Sequence, residues 1–241
     1  MIASRCPKIL PYKYIIYISM LFITIDLSAV AVSYKMVSIN NLFEINSAAT
    51  FIFPLTYCVG DIVTEVYGFN MGKALIYYSL ILQIIFGILT TTAIYLPSPE
   101  FWPNDPAYLT VFGSILRFIL AGTLANFVSS ILNIYLVSKL KIPCEGKLFW
   151  LRSIFSTIVG GFIMVAIIMI SFTGKDLSPT QLWIMFKSTF SLEVLYALAL
   201  SLPASIIANF LKTHEEVDVY DYNTNFNPFI FKQHQKGAEN V

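Results

Sequence analysis

Long apolar stretches separated by short polar segments dominate this chain of 241 residues. Six of the stretches hold about 20 residues or more, the length that a helix needs to cross the ~30 Å hydrocarbon core of a bilayer. They are Tyr14–Tyr34, Ala48–Val66, Gly72–Tyr95, Ala107–Ser138, Leu151–Phe172 and Thr180–Leu211. The pattern therefore predicts an all-α integral membrane protein, a six-transmembrane-helix bundle.

The segments between the stretches carry residues that end or start helices. Leu96–Pro106 contains four prolines, which a continuous helix does not accommodate. Gly174 is typical of the end of the fifth helix, and Ser178-Pro179 of the start of the sixth. The chain then divides into a cytoplasmic N-terminal segment (1–13), a transmembrane domain (14–211) and a polar cytoplasmic tail (212–241), which we expect to be solvated.

Basic residues are distributed unequally between the two sets of loops. Eleven fall on one side: Arg5, Lys8, Lys13, Lys73, Lys139, Lys141, Lys147, Arg152, Lys212, Lys232 and Lys236. The other side holds only Lys35 and Lys175. Because loops on the cytoplasmic side carry the excess of Lys and Arg, both termini are predicted to lie in the cytoplasm.

The composition supports a membrane location. Charged residues make up 12% of the chain, against about 25% in a typical soluble domain. The net charge of +1 gives no reason to expect a nucleic-acid partner. One alternative is that the basic N-terminus, the apolar run and Ala29-Val30-Ala31 form a signal peptide, but the run is long enough to span.

Polar and ionisable residues inside the predicted helices are the candidate functional residues, because they are costly there and usually face the bundle interior. Asp61 and Glu65 are four residues apart and share one helix face. They line a substrate or proton path, or they sit at a wet cytoplasmic helix end. Asn126, Ser130 and Asn133 share a face of the fourth helix and serve interhelical hydrogen bonds or substrate contacts.

Arg117 and Glu193 fall at similar depth in two different helices. They are expected to form an ion pair that fixes packing, or Arg117 binds a substrate carbonyl. The sequence has no phosphate-binding GK[ST] loop, no HExxH and no serine nucleophile elbow. Its three cysteines suggest neither a disulfide framework nor a zinc site. We therefore expect no enzyme activity, no cofactor and no metal.

One motif resembles a transporter signature. Phe53-Pro54-Leu55-Thr56 precedes Asp61–Gly68, which reads D-x-x-T-E-x-Y-G. This resembles the vitamin uptake transporter family, in particular its YhhQ-like group of queuosine-precursor transporters. Arg117 and the segment Gly146–Arg152 match further family positions, and the resemblance runs over residues 15–210.

The resemblance implies six helices in the inner membrane and uptake of 7-deazaguanine bases used in tRNA modification. It also implies a fold akin to the substrate-binding components of energy-coupling-factor transporters. In that family the fourth and fifth helices each carry a Gln followed three residues later by an Asp. Here those positions hold Ser130/Asn133 and Gly161/Met164, which puts the substrate in question.

The resemblance thus implies an uptake transporter for a small purine-like or vitamin-like solute, in particular a queuosine precursor. A guanine-like base presents a ring N–H and an amino group side by side, and one buried carboxylate can accept both. The residues expected to line the substrate site are Asp61, Glu65, Arg117, Asn133 and Glu193. Two alternatives stay open: a substrate-binding membrane subunit that works with a separate ATP-driven module for another vitamin-like solute, and a non-transporting membrane scaffold. The oligomeric state, including a homo-oligomer, is also left open.

Overall fold

The computed structural model describes residues 12–39, 43–113, 115–172 and 178–230. These ranges contain seven α-helices: α1 (Ile15–Ala31), α2 (Pro54–Tyr67), α3 (Phe69–Ile94), α4 (Asp105–Phe112), α5 (Ile115–Lys141), α6 (Phe149–Phe172) and α7 (Pro179–Glu215). Strands β1 (Met36–Ile39) and β2 (Phe43–Ser47) pair antiparallel between α1 and α2. Several residues used in the predictions lie outside the described ranges: Arg5, Cys6, Lys8, Gly174, Lys175, Lys232 and Lys236.

The helical membrane architecture is confirmed, but the count of six spanning helices is not. Four described segments are long and apolar enough to cross a membrane: α3, Gly122–Lys141 of α5, Phe149–Ile170 of α6, and α7. α1 is apolar but has only 17 residues. α2 has 14, because residues Ala48–Phe51 form a 3-10 turn and Pro54 starts the helix. A proline has no N–H to continue a helical hydrogen-bond ladder, so it fits only the first turn.

The prediction of one helix over Ala107–Ser138 is wrong. α4 ends at Phe112, and α5 begins at Ile115. A side chain at Gly113 would overlap the carbonyl oxygen of Leu109, so this close turn depends on glycine. The two breaks that the sequence predicted are confirmed: α3 ends before the proline-rich segment, and Ser178 caps α7 by accepting from the Gln181 backbone N–H at 3.3 Å.

The helices run between two ends of the bundle. One end, which we call the basic end, carries Lys141, Arg152 and Lys212. At this end the Tyr14 N–H donates to Glu215 Oε1 at 2.6 Å, so the start of α1 contacts the end of α7. At the opposite, hairpin end, Asn46 donates to Ser188 at 2.6 Å. α1 therefore begins at the same end of the bundle at which α7 finishes.

The part of the chain after α7 folds back on the basic end. The segment Val217–Ile230, called here the C-terminal segment, begins with the Val219 N–H donating to the Val66 carbonyl at 3.1 Å. Asp221 is 5% exposed and accepts from the Phe69 N–H at 2.8 Å. The expected solvated tail holds only in part for this segment: many of its side chains are exposed, but its backbone and carboxylates bond to the helix ends.

α2 is the central helix of the bundle. Twelve of its 14 residues are buried, and it packs against α1, α3, α5, α6 and α7. Its polar side chains consequently face neighbouring helices in every direction, and this makes α2 the helix around which the candidate site is built.

Candidate functional site

The carboxylate of Glu65, near the basic end of α2, is surrounded by cations from three other helices. Arg152 of α6 donates to it through its two terminal nitrogens, Nη1 at 2.8 Å and Nη2 at 3.1 Å. Lys212 of α7 lies at 2.6 Å and Lys141 of α5 at 3.9 Å. Glu65 is fully buried. A forked guanidinium bond with two further cations fixes the carboxylate and ties α2 to its neighbours.

Asp218 of the C-terminal segment completes this group. Its carboxylate lies 2.5 Å from Lys141 and 3.0 Å from Lys212. Burial alone would raise the pKa of Asp218, but hydrogen bonds from Lys141 and Lys212 outweigh burial and hold the pKa below its usual value. The five residues form what we call the basic-end cluster: Glu65, Lys141, Arg152, Lys212 and Asp218.

One turn earlier on α2, Asp61 is held by uncharged donors. It accepts hydrogen bonds from Asn133 at 2.5 Å, Ser153 at 2.5 Å and Thr157 at 3.4 Å. Asp61 is fully buried. Three donors satisfy its carboxylate and connect α2 to α5 and α6.

Two successive glycines of α6, Gly160 and Gly161, allow α5 and α7 to pack closely against α6 at the depth of Asp61. A Cβ on Gly160 would lie 3.1 Å from the Ser129 carbonyl oxygen and 3.2 Å from Asn133 Cβ. A Cβ on Gly161 would overlap the carboxyl group of Glu193 on α7. The missing side chains therefore make room for Asn133 on one side of α6 and Glu193 on the other.

Two buried acceptors at this level have no hydrogen-bond partner among the described residues. They are Glu193 Oε2 and Asn133 Oδ1, on side chains that are 3% and 1% exposed. Tyr57 of α2 lies within electrostatic range of Glu193 and donates to Ser129 at 2.9 Å. Because buried acceptors are nearly always paired, each of these two atoms is a candidate position for a donor from a ligand or from an ordered water. We call Tyr57, Asp61, Asn133 and Glu193 the middle layer.

Two crevices flank α2 at the middle layer. One is lined by Ser153, Thr157 and Tyr196, the other by Tyr57, Ser130 and Asn133. Each has room for about one water molecule. A larger solute can reach the middle layer only if the helices around α2 separate.

The structure distributes the five predicted site residues over three places. Asp61 and Asn133 are hydrogen-bonded to each other, and Glu193 lies at the level of Gly161, next to the Gly160 that contacts Asn133; Glu65 is bound in the basic-end cluster. Arg117 is exposed on α5 and forms no ion pair with any described residue, so the expected pair with Glu193 is not formed.

Sequence reasoning missed the partners of the two α2 carboxylates. Arg152, Lys141 and Lys212 were counted only as loop and tail charges, although each lies within or at the end of a helix. Ser153 and Thr157 are four residues apart near the start of α6, and that spacing was the available signal for a shared polar face. Among the described residues, no group of three or more His, Cys, Asp or Glu side chains could hold a metal ion.

Comparison with known proteins identifies the family. A family model described as "putative vitamin uptake transporter" matches residues 47–208, more than half of the chain. The matched range contains the whole middle layer and two of the three cations that surround Glu65. No curated protein and no solved structure matches the chain. The chain belongs to the vitamin uptake transporter family.

Proposed function

We propose that this protein is a multi-pass inner-membrane uptake transporter for queuosine precursors, the 7-deazaguanine-type bases used in tRNA modification. Family membership supports uptake of a small solute across a membrane. The proposed substrate rests on one observation, the pair of unpartnered acceptors Glu193 Oε2 and Asn133 Oδ1 in the middle layer. A base that carries several N–H groups offers donors of the kind that each of these two atoms lacks.

The neighbours of the two acceptors fit a flat, donor-rich solute. Asp61 accepts from the Asn133 amide nitrogen, which turns Asn133 Oδ1 away from Asp61 and leaves it free to accept from a ligand. Tyr57 and Tyr196 line the two crevices and offer aromatic faces. The proposed substrate site is therefore Glu193, Asn133 and Asp61, with Glu65 closing the basic end and Arg117 outside it.

We propose that six helices cross the membrane, with α4 lying at the hairpin end. α1, α2, α3, α5, α6 and α7 connect the two ends of the bundle in alternation, and the start of α1 meets the end of α7. Cytoplasmic loops carry more Lys and Arg, so the basic end is the cytoplasmic one. Both termini are then cytoplasmic.

The experiment that tests the substrate is rescue of tRNA queuosine in cells that lack their own transporter and cannot make the precursor. We expect rescue by the full chain and loss of rescue by Glu193→Ala or Asn133→Ala. Lys187→Ala is the matched control, because Lys187 is an exposed residue of the same helix as Glu193 and contacts Trp183.

Three outcomes separate the proposal from its alternatives. Absence of rescue by a chain that reaches the membrane would overturn the queuosine assignment. Rescue only when a separate ATP-driven module is co-expressed would instead make the chain a substrate-binding subunit. Equal rescue by the wild type and both middle-layer variants would remove the proposed site.

A further inference from the structure

We propose that Glu193 binds the substrate as a neutral carboxylic acid, so that one proton on this side chain travels inward with each base. This inference rests on the proposed function and specifies how its site works. It begins with a contrast between two buried carboxyl groups in the middle layer.

Asp61 and Glu193 are buried to the same degree but have opposite surroundings. Asp61 is fully buried and accepts from three side-chain donors. Glu193 is 3% exposed, and its Oε2 receives no hydrogen bond from any described residue. Donors compensate an ionised carboxylate, whereas an ionised group without donors is severely penalised in a membrane interior. The surroundings of Asp61 suit the anion, and those of Glu193 suit the uncharged acid.

The groups that face Glu193 do not supply a compensating charge. From α2, Tyr57 lies within electrostatic range of it, but the phenol oxygen donates to Ser129 at 2.9 Å or Met164 at 3.5 Å. From α6, Gly161 has no side chain at all. On α7 itself, Lys187 is exposed and lies against Trp183.

Charged groups that lie farther from Glu193 do not compensate an ionised Glu193 carboxylate either. On α2, Asp61 is a second carboxyl group, so it would oppose rather than favour ionisation of Glu193. From the hairpin, Asn46 is uncharged and bonds to Ser188 and Thr189. Arg117 of α5 is exposed, and the cations of the basic-end cluster contact Glu65 and Asp218. No described cation lies within ion-pair distance of Glu193.

A neutral acid matches one edge of a guanine-like base. The O–H of Glu193 donates to the base carbonyl oxygen, and its C=O accepts from the adjacent ring N–H. Asn133 Oδ1 remains free to accept from a further donor of the base. In the membrane step no covalent bond to the base changes, and the proton stays on Glu193 until the base leaves; it then passes to water on the cytoplasmic side, and Glu193 takes up a new proton when the site next opens to the opposite side. Each cycle then moves one base and one proton in the same direction.

The opposite protonation state makes the opposite prediction. An ionised Glu193 would accept from two N–H groups of the base, and binding would displace a proton. Affinity would then increase with pH. The sign of the pH dependence therefore distinguishes the two binding modes.

Labelled 7-deazaguanine binding to the purified full chain, measured between about pH 6 and about pH 9, tests the inference. For the wild type we expect affinity to fall by about tenfold per pH unit once Glu193 ionises. Glu193→Gln keeps a donor and an acceptor in the places of the neutral acid, so its affinity should be nearly independent of pH. Two controls should keep the wild-type slope: Lys187→Gln at wild-type affinity, and Asp61→Asn at lower affinity.

A second measurement covers the case in which Glu193→Gln does not fold. Proteoliposomes that hold the wild-type chain and a pH-sensitive dye should show about one proton entering per labelled base. Affinity that is constant or rises with pH, or uptake without proton entry, would overturn the inference and leave the proposed function standing. No binding of 7-deazaguanine by the wild type at any pH, together with no rescue of tRNA queuosine, would instead reject the proposed function.

Discussion

Glu65 and Asp61 occupy successive turns of α2, but their partners differ in kind. Glu65 is bound by Arg152, Lys212 and Lys141, which carry full charges, whereas Asp61 is bound by an amide and two hydroxyls. The charged environment fixes a helix junction, and the neutral one leaves an adjustable polar layer. The difference indicates that Glu65 holds the helices together, whereas Asp61 belongs to the polar layer.

Replacing Glu65 by Gln should destabilise the bundle strongly. The substitution leaves the Arg152 guanidinium, which is 3% exposed, without its carboxylate, and breaking a buried pair in this way costs about 3–5 kcal/mol. Glu145→Gln is the control, since Glu145 and Lys147 are 77% and 76% exposed and their pair contributes little. Thermal unfolding of both variants in detergent measures the difference, and equal melting temperatures would contradict this account of Glu65.

Gly161→Ala adds only one methyl group, but it should impair transport strongly. A methyl group at Gly161 would overlap the Glu193 carboxyl group, so Glu193 must move away from the middle layer. Gly122→Ala is a matched control, because a Cβ on Gly122 would meet no atom within 4 Å. We expect initial uptake to fall at least about tenfold for Gly161→Ala, which corresponds to about 1.4 kcal/mol, and to stay near wild type for Gly122→Ala. Equal uptake by the two variants would exclude a role for this contact.

The residues of the middle layer were visible in the sequence, but their contacts were not. Asp61, Asn133 and Glu193 stand out because polar groups are costly within apolar stretches. The sequence placed Arg117 opposite Glu193 from depth alone, and the structure exposes Arg117 because rotation about the helix axis decides which side faces inward. The depth of a residue along its helix follows from its position in the sequence, whereas the side of the helix that faces the bundle interior depends on how the helices pack.

At the scale of elements, the C-terminal segment shows how polar sequence can be misread. Its high content of Asp and Asn predicted a solvated tail, yet Asp221 caps the start of α3 and Asp218 pairs with two helices. Lys73 and Tyr77 of α3 donate to the carbonyls of Ile230 and Pro228, at 2.8 Å and 3.0 Å. Polar residues are typical both of solvated tails and of segments that satisfy helix ends, and composition does not separate the two.

The contribution of Asp218 should depend on pH in a defined direction. Its pKa is lower in the folded chain than the ordinary value of 3.8, so its stabilisation is complete above that value and is lost as the pH falls through the folded pKa. Asp218→Asn should therefore melt at a lower temperature than the wild type near neutral pH. The difference should vanish at pH values below the folded pKa.

Melting curves recorded from neutral pH downward test this expectation. Glu100→Gln is the control, because Glu100 is exposed in the loop between α3 and α4. A melting-temperature difference between Asp218→Asn and the wild type that persists unchanged at the lowest pH would show that the ion pairs with Lys141 and Lys212 do not hold the segment.

At the scale of the whole molecule, the basic end is closed while the middle layer keeps free acceptors. The hydropathy pattern predicted the order of the long helices well, because burial in lipid demands continuous apolar sequence. It did not predict that the C-terminal segment packs on the basic end, since this depends on contacts between positions far apart in sequence, such as Asp218 and Lys141. We therefore expect access to the middle layer from the basic end to require the basic-end cluster to separate.

Ending the chain after Glu216 should open this route without removing any residue of the middle layer. The truncation removes Asp218, so Lys141 and Lys212 lose a carboxylate, and it removes Asp221 from the Phe69 N–H. Cys58 lines the crevice next to Thr157, so its labelling rate reports a change in access to that crevice. With Cys6 and Cys144 replaced by Ser, a water-soluble maleimide should label Cys58 faster in the truncated chain than in the full chain.

Asp218→Asn should give an intermediate rate, because it breaks the ion pairs but keeps the other contacts of the segment. Equal labelling rates in all three chains would mean that the C-terminal segment does not control access to the middle layer.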